Sequence, residues 1–563
     1  MIGPQTPAAA ETFAFKYQQP GEDFRDVCNR VAGAISDGPD HYKDFREVLL
    51  NQWGVLGGRG MASLGTTKRV TAFNCYVSGP IEDSLEGILA RHREGALTLR
   101  MGGGIGYDFS TIRPRGDKVR SLDSSASGPV SYIAMYDAMG QTISSSGERR
   151  GAQMGVLRVD HPDIEEFVHA KQNSNRLNCF NLSVAVTDKF MEAVVEGGTF
   201  DLQFEGKTYR TIDARTLWDT IMRGTWDWAE PGVIFIDRVN YWNNLRYCEN
   251  IAAVNPCAEQ PLPPYGACLL GSVNLAKMLN PRAKPCPIEG RWVFNWQRLV
   301  HVVRTMVRAM DNVIDATIYP LLEQEKQAKS TRRMGIGVMG AANCIEGLGF
   351  PYGSDGFLYL LDAILRCIKE TAYQESVELA KVKGPFPKLS IEEYIETPFI
   401  KGLSHETREM IKEHGIRNSH LTSIAPTGTI AFCCDNVSSG IEPVFSVEED
   451  RRVRQTDGVR TYRVVDYGST LGIKPRTCEM VSAEEHADVL CTAQKHIDSS
   501  IAKTCNVPSD MEWDHFKNIY TRVWKGGGKG CSTFQTKGKR EGIRQAASEC
   551  EGDRCQMTGT GGF

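Results

Sequence analysis

The sequence has no long apolar run, no signal-like N-terminus, no marked excess of charge of either sign and no Cys-x-x-Cys pair. Each absence removes a class of protein. Without an unbroken apolar stretch of about 18 residues there is no transmembrane helix, and without a leader the chain is expected to be soluble and cytoplasmic. Lys+Arg 65 against Asp+Glu 69 leaves a net charge of -4. No global basic field therefore marks a nucleic-acid partner, and any anion site must be local. The missing Cys-x-x-Cys spacing argues against a zinc ribbon and against a thioredoxin-like site, and no metal ligands are assigned.

What is present is 563 residues with 41% apolar content, enough for one large domain with appendages. Cysteine is plentiful: the 17 cysteines, an odd number, fit a reducing compartment, where free thiols persist for redox work. Apolar spacing predicts helices over residues 23–35, 41–53 and 83–93, one starting at Pro129, and others over 188–195, 214–228, 296–314 (capped by Asn295) and 357–382. Short β-branched runs at 70–77, 152–159, 179–186 and 233–237 read as strands. The alternation implies an α/β architecture, doubly wound or a barrel. A mainly helical segment (1–69) precedes the large body (70–535). A Gly- and Lys/Arg-rich end (536–563) reads as a flexible arm carrying Cys550 and Cys555.

Two stretches carry the chemistry. Asn255-Pro256-Cys257-Ala258-Glu259 and the following residues to Cys268 place an amide, two thiols and a carboxylate in one segment. Pro256, Pro261, Pro263 and Pro264 exclude a helix interior or a central strand, so the segment reads as a rigid loop. Such a loop can hold a thiol and a carboxylate at fixed distances from a substrate; two ordinary buried thiols would look the same. Residues 421–425 read as a strand running into Pro426-Thr427-Gly428-Thr429-Ile430, a hydroxyl-rich turn suited to presenting N–H and O–H groups to a phosphate. The run Met101-Gly102-Gly103-Gly104-Ile105-Gly106 serves a nucleotide or close backbone packing equally well.

Asn-Pro-Cys-Ala-Glu at 255–259, Ala-Pro-Thr-Gly-Thr-Ile at 425–430 and the Cys550-x4-Cys555 pair resemble the ribonucleotide reductases, in particular the adenosylcobalamin-dependent class II enzymes. The resemblance runs from about Gly58 to Phe534 and takes in Arg332-Arg333-Met334-Gly335-Ile336-Gly337 and Ser438-Ser439-Gly440-Ile441-Glu442-Pro443. It implies a ten-stranded α/β barrel of two antiparallel five-stranded halves, with the 255–268 loop as a finger through its centre. On the resemblance, Cys257 becomes the thiyl radical that removes the substrate's 3′-hydrogen, Glu259 is the general base for the 3′-hydroxyl and Asn255 holds the ribose hydroxyls. Cys75 and Cys268 supply two electrons and end as a disulfide, which Cys550 and Cys555 reduce by exchange before thioredoxin or glutaredoxin reduces them in turn. Pro426, Thr427, Gly428, Thr429 and Ile430 bind the phosphates of a ribonucleoside di- or triphosphate.

The resemblance also implies a specificity site for dNTP or ATP effectors at a homodimer interface, with Asp83, Ser84, Arg113 and Arg120 as contacts. A neighbouring loop with Glu148, Arg149, Arg150 and Gln153 would relay effector identity to the substrate base, Arg150 and Gln153 being its readers. Class I enzymes receive their radical through two adjacent tyrosines where this chain has Cys531-Ser532-Thr533-Phe534, and the class III glycyl-radical motif is missing. Those absences favour adenosylcobalamin, and no Asp-x-His-x-x-Gly motif offers it a histidine ligand. With little chain ahead of Cys75, no on/off regulation by dATP at an N-terminal domain is expected. The rival readings are a class I catalytic subunit with an unusual radical path and a nucleotide-binding sensor that has lost catalysis. A sensor would need none of these thiols.

Overall fold

The structure, a computed structural model, describes residues 2–119, 123–143, 151–172, 176–286, 290–455, 458–535 and 545–546. Arg120, Glu148, Arg149, Arg150, Cys550 and Cys555 lie outside the described residues.

Three helices open the chain, Pro7–Tyr17, Phe24–Ile35 and Pro39–Leu50. Asp23 caps the second reciprocally with Asp26. Strand β1 (Gly54–Leu56) follows. The strands β2 (Cys75–Val77), β3 (Gly104–Asp108), β4 (Gln153–Arg158), β5 (Phe180–Val186) and β6 (Gly232–Phe235) then pair in parallel, each with the next. Helices Leu85–Arg100, Pro129–Thr142 and Ala214–Trp228 are among those between them. All but one residue of β5 is buried, which is why it reads as a nearly continuous apolar run rather than an alternating one.

A short hairpin of β7 (Ala253–Val254) and β8 (Pro261–Leu262) comes next. A second series consists of β9 (Ala267–Cys268), β10 (Leu270–Asn274), β11 (Gly335–Met339), β12 (Thr504–Val507) and β13 (Gly530–Gln535). One mixed sheet has the order β9-β2-β3-β4-β5-β6-β13-β12, and another has β1-β10-β11. The two series meet antiparallel at β9·β2 and at β6·β13. Within the second series the pairs β10·β11 and β12·β13 are parallel. The fold is therefore α/β with mixed sheets.

Three strand readings end differently in the structure, two of them because side chains capture backbone N–H groups. Of residues 70–77 only Cys75–Val77 is strand, since the Ala72 N–H goes to Thr317 Oγ1 (2.8 Å) and that of Phe73 to Thr71 Oγ1 (3.1 Å). The run 233–237 stops at Phe235, where helix Ile236–Tyr241 begins. Residues 421–425 form isolated parallel bridges, Ile336↔Thr422 and Ile424↔Ile501, instead of a full ladder. There the buried Asp498 carboxylate takes the N–H groups of Leu421 (2.6 Å) and Thr422 (3.1 Å).

Among the described residues the buried apolar side chains form two main cores and a small cluster of Ala8, Phe432 and Val464. The larger lies under the helices. Trp296–Ala316, capped by Asn295 as expected, buries Leu299, Val302, Val303, Met306, Met310 and Val313 there, and Asp355–Lys383 packs beside it. A smaller core gathers Cys75, Val77, Met154, Val156, Ala185, Ile234, Val254, Leu262, Cys268 and Leu270, from the strands of both series and from the hairpin. The hairpin thus sits against the strand faces turned away from the helices.

Glycine makes that seat possible. A Cβ placed on Gly106 of β3 would overlap the Val254 carbonyl oxygen, and one on Gly335 of β11 would overlap the Gln260 amide and the Ser423 side chain. Gly106→Ala is therefore expected to lower the urea midpoint by the equivalent of about 1–3 kcal/mol, the usual cost of overpacking. An unchanged midpoint would show that the hairpin does not press on β3.

Candidate active site

The hairpin ends in a tight turn. Gln260 donates its N–H to Asn255 Oδ1 (2.9 Å), Asn255 donates its own to the Gln260 carbonyl (3.1 Å), and Ala258 closes on the Asn255 carbonyl (3.0 Å). Ala258 takes the left-handed conformation, φ 65. This puts Cys257 and Ala258 at the tip, half-buried, while Asn255 and Glu259 are 0% and 2% exposed. Three contacts fix the tip. Asn181 of β5 donates to the Pro256 carbonyl (2.8 Å), and the Glu259 carbonyl accepts from the Ser423 hydroxyl (2.8 Å) and the Ser500 N–H (3.0 Å). With the main chain of residue 259 held from two sides, its carboxylate has a defined origin.

Cys75 and Cys268 stand opposite each other in the β2·β9 register, 3% and 0% exposed, with their thiols in contact. Both are reduced. Burial first, then the Cys75 thiol, the Glu259 carboxylate and the Cys257 thiol, push the Cys268 pKa well above the ordinary thiol value. The structure thus brings Cys75, Cys257, Glu259 and Cys268 into one electrostatic neighbourhood, and Cys268 stays a protonated thiol at neutral pH. Such a group can give up hydrogen as well as electrons but is a poor nucleophile.

The phosphate-loop candidates lie along the same segment as Ser423. Thr427 is left-handed (φ 56) and 7% exposed, and its Oγ1 accepts the Gly440 N–H (2.9 Å). Helix Gly428–Cys433 starts there. Pro426 and Thr429 are exposed, Ile430 is buried, and a Cβ built on Gly428 meets no atom within 4 Å, so the turn opens outward.

The effector candidates are placed in part. Arg113 donates to Asp83 Oδ2 through Nε (2.7 Å) and to Asp83 Oδ1 through its N–H (3.1 Å). Ser84 caps helix Leu85–Arg100 by accepting the Gly87 N–H (3.0 Å). Gln153 is 1% exposed and donates to the Tyr136 carbonyl (3.1 Å), beneath helix Pro129–Thr142.

Sequence reasoning missed Asn181, Ser423 and Ser500, which anchor the tip, and Gln260, whose side-chain amide is fully buried with neither polar atom hydrogen-bonded among the described residues. Gln260 carries a signal in hindsight, an amide next to the acid of the loop. The other three do not, because they come from distant parts of the chain. A surface cavity of about 360 Å³, lined by Trp292, Glu346, Ile473 and Arg476 among others, shares no residue with this constellation.

A paired-thiol strand register, a thiol at the tip of the turn and an acid beside it bring redox-capable groups together on an α/β frame. The family model described as the barrel domain of ribonucleotide reductase matches residues 73–467 and 474–534, and the chain belongs to that family. It is 34% identical to a vitamin B12-dependent ribonucleoside-diphosphate reductase of Mycobacterium tuberculosis, over 93% of this chain and 77% of that protein. A protein of the same description from Thermoplasma acidophilum is 33% identical over 89% of this chain and 66% of its own length. A vitamin B12-dependent ribonucleotide reductase of Streptomyces coelicolor is 26% identical over 92% and 61%.

Proposed function

We propose that this chain reduces ribonucleoside di- or triphosphates to 2′-deoxyribonucleotides with adenosylcobalamin as cofactor. The observation that carries the proposal is the meeting of Cys75, Cys257, Glu259 and Cys268 around one turn. We further propose that the two strand series close into the ten-stranded barrel. Support comes from the antiparallel seams β9·β2 and β6·β13 and from the bridges that place residues 421–425 between β11 and the segment leading into β12.

The residues fit the cofactor in one respect that the structure offers: Cys257 is half-exposed at the tip while Asn255 and Glu259 are buried behind it. Residue 257 would thus be reachable by the cofactor, while the buried Asn255 and Glu259 would be kept for the ribose. When bound, adenosylcobalamin supplies an unpaired electron by homolysis of its cobalt–carbon bond. Cys257, as a thiyl, takes the 3′-hydrogen of the ribose. Glu259 takes the 3′-hydroxyl proton as general base. Asn255, whose Oδ1 is spent on the turn and whose Nδ2 has no partner among the described residues, donates to a ribose hydroxyl. Loss of the 2′-hydroxyl as water consumes two protons and two electrons in all. Cys75 and Cys268 provide the electrons and become a disulfide, and Cys257 returns the 3′-hydrogen. Thr427, Gly428 and Thr429 hold the phosphates.

We also propose that the protein is a homodimer with a nucleotide specificity site near Asp83, Ser84 and Arg113. Helix Leu85–Arg100 leaves Leu85, Leu89 and Leu97 exposed, 64%, 45% and 41%, which suits a partner surface beside that site. Cys550 and Cys555 would reduce the Cys75–Cys268 pair.

An anaerobic assay tests the main proposal. With a dithiol, deoxyribonucleotide is expected to form when adenosylcobalamin is added and not without it. Product that instead depends on a second protein would replace this reading with that of a class I catalytic subunit.

A further inference from the structure

Helix Gly428–Cys433 is too short to hold its own direction, so the outward-opening turn at its start must be aimed by something else. The grip comes from the other end of the chain. Asp435, 4% exposed and left-handed at φ 66, accepts on Oδ1 the N–H groups of Gln5 (2.7 Å) and Thr6 (3.0 Å). Thr6 is the N-cap of helix Pro7–Tyr17, so the carboxylate also sits at that helix's positive end. Gln52 Nε2 donates to the carbonyl of Cys433, the last residue of the short helix (2.9 Å). Between these contacts Ile430, Cys433 and Cys434 face Phe13, Tyr17 and Cys28.

The opposite side is also held. Arg451 donates to the Asn436 side chain (2.9 Å) and the Gly428 carbonyl (3.4 Å), with its guanidinium 4.4 Å from the centre of the Phe432 ring. Asp435 and Asn436 are consecutive left-handed non-glycine residues, a conformation that persists only where the surroundings impose it. The two contacts of the Asp435 carboxylate are part of what imposes it.

We infer that Asp435 is a positioning residue for substrate binding: by docking Gln5 and Thr6 it braces helix Gly428–Cys433 against the N-terminal helices and sets how the turn at 427–429 meets the substrate phosphates. The inference rests on the phosphate reading of residues 426–430. It gives the N-terminal segment a part in substrate affinity although that segment supplies no group to the reacting atoms.

The test uses the full chain with adenosylcobalamin and dithiothreitol and compares KM with kcat. Asp435→Ala removes the acceptor and is expected to raise KM about tenfold at unchanged kcat, the scale of one lost buried hydrogen-bonding group. Asp435→Asn keeps Oδ1 and is expected to restore the wild-type KM. Gln52→Glu, which loses the donor to Cys433 while keeping its shape, is expected to raise KM in the same direction and stands in if Asp435→Ala does not fold. Thr429→Val separates the two layers of the argument. If it raises KM while Asp435→Ala and Gln52→Glu do not, the brace is wrong and the phosphate reading stands. If it leaves KM unchanged, the phosphate reading falls and the inference falls with it. An equal rise in Asp435→Ala and Asp435→Asn would also overturn the brace, because the asparagine retains the accepting oxygen.

Discussion

Cys257→Ser is expected to remove all deoxyribonucleotide product while leaving the melting temperature unchanged. The side chain is half-exposed at the tip of a turn held by main-chain and neighbouring contacts, so a near-isosteric hydroxyl costs the fold almost nothing. The chemistry has no such tolerance. A serine O–H bond is much stronger than the thiol S–H bond, so the hydroxyl cannot take over a radical and pass it to carbon. Asn255, Glu259, Cys75 and Cys268 would remain in place around it with nothing to start the reaction. Product formation at a measurable fraction of the wild-type rate would mean that the initiating sulfur lies elsewhere, and the proposed function would lose its centre.

The second large effect concerns resupply of electrons. Cys75 and Cys268 are 3% and 0% exposed, and no folded reductase can lay its own thiols against them. A small dithiol can diffuse in, but a protein reductant needs an intermediary. Cys550→Ser combined with Cys555→Ser is therefore expected to leave turnover with dithiothreitol near wild type and to abolish turnover supported by thioredoxin. Parallel assays with the two reductants decide it. Equal loss with both would show that these cysteines matter for something other than passing electrons inward.

The α/β class was legible because local signals agreed with the final structure in the long elements. Asn295 before an apolar stripe, the stripe at 357–382 and the β-branched run at 179–186 each found the predicted element within a few residues. Residues 70–74 and 421–425 were overread because β propensity cannot see that Thr317, Thr71 and Asp498 intercept N–H groups there. The rigid loop at 255–268 was readable from its prolines. Its seat was half-readable: Gly106 and Gly335 lie in glycine-rich runs whose reason, space for a second backbone, becomes clear only once the hairpin lies across them. The pairing of Cys75 with Cys268 entered only through resemblance, since nothing in sequence spacing sets one strand register against another. Asn181, Ser423 and Ser500 were invisible for the same reason.

The β2·β9 pair is also one of the two seams where the first strand series is sewn to the second, and its two cysteines face each other across that join. Closing a bond there would tie chain segments far apart in sequence and remove much of the freedom the unfolded polypeptide would otherwise regain. A molecule that has spent its reducing equivalents would then be riveted at that seam. The idle form, waiting for electrons, would be the sturdier of the two, and each cycle of work would begin by loosening the rivet.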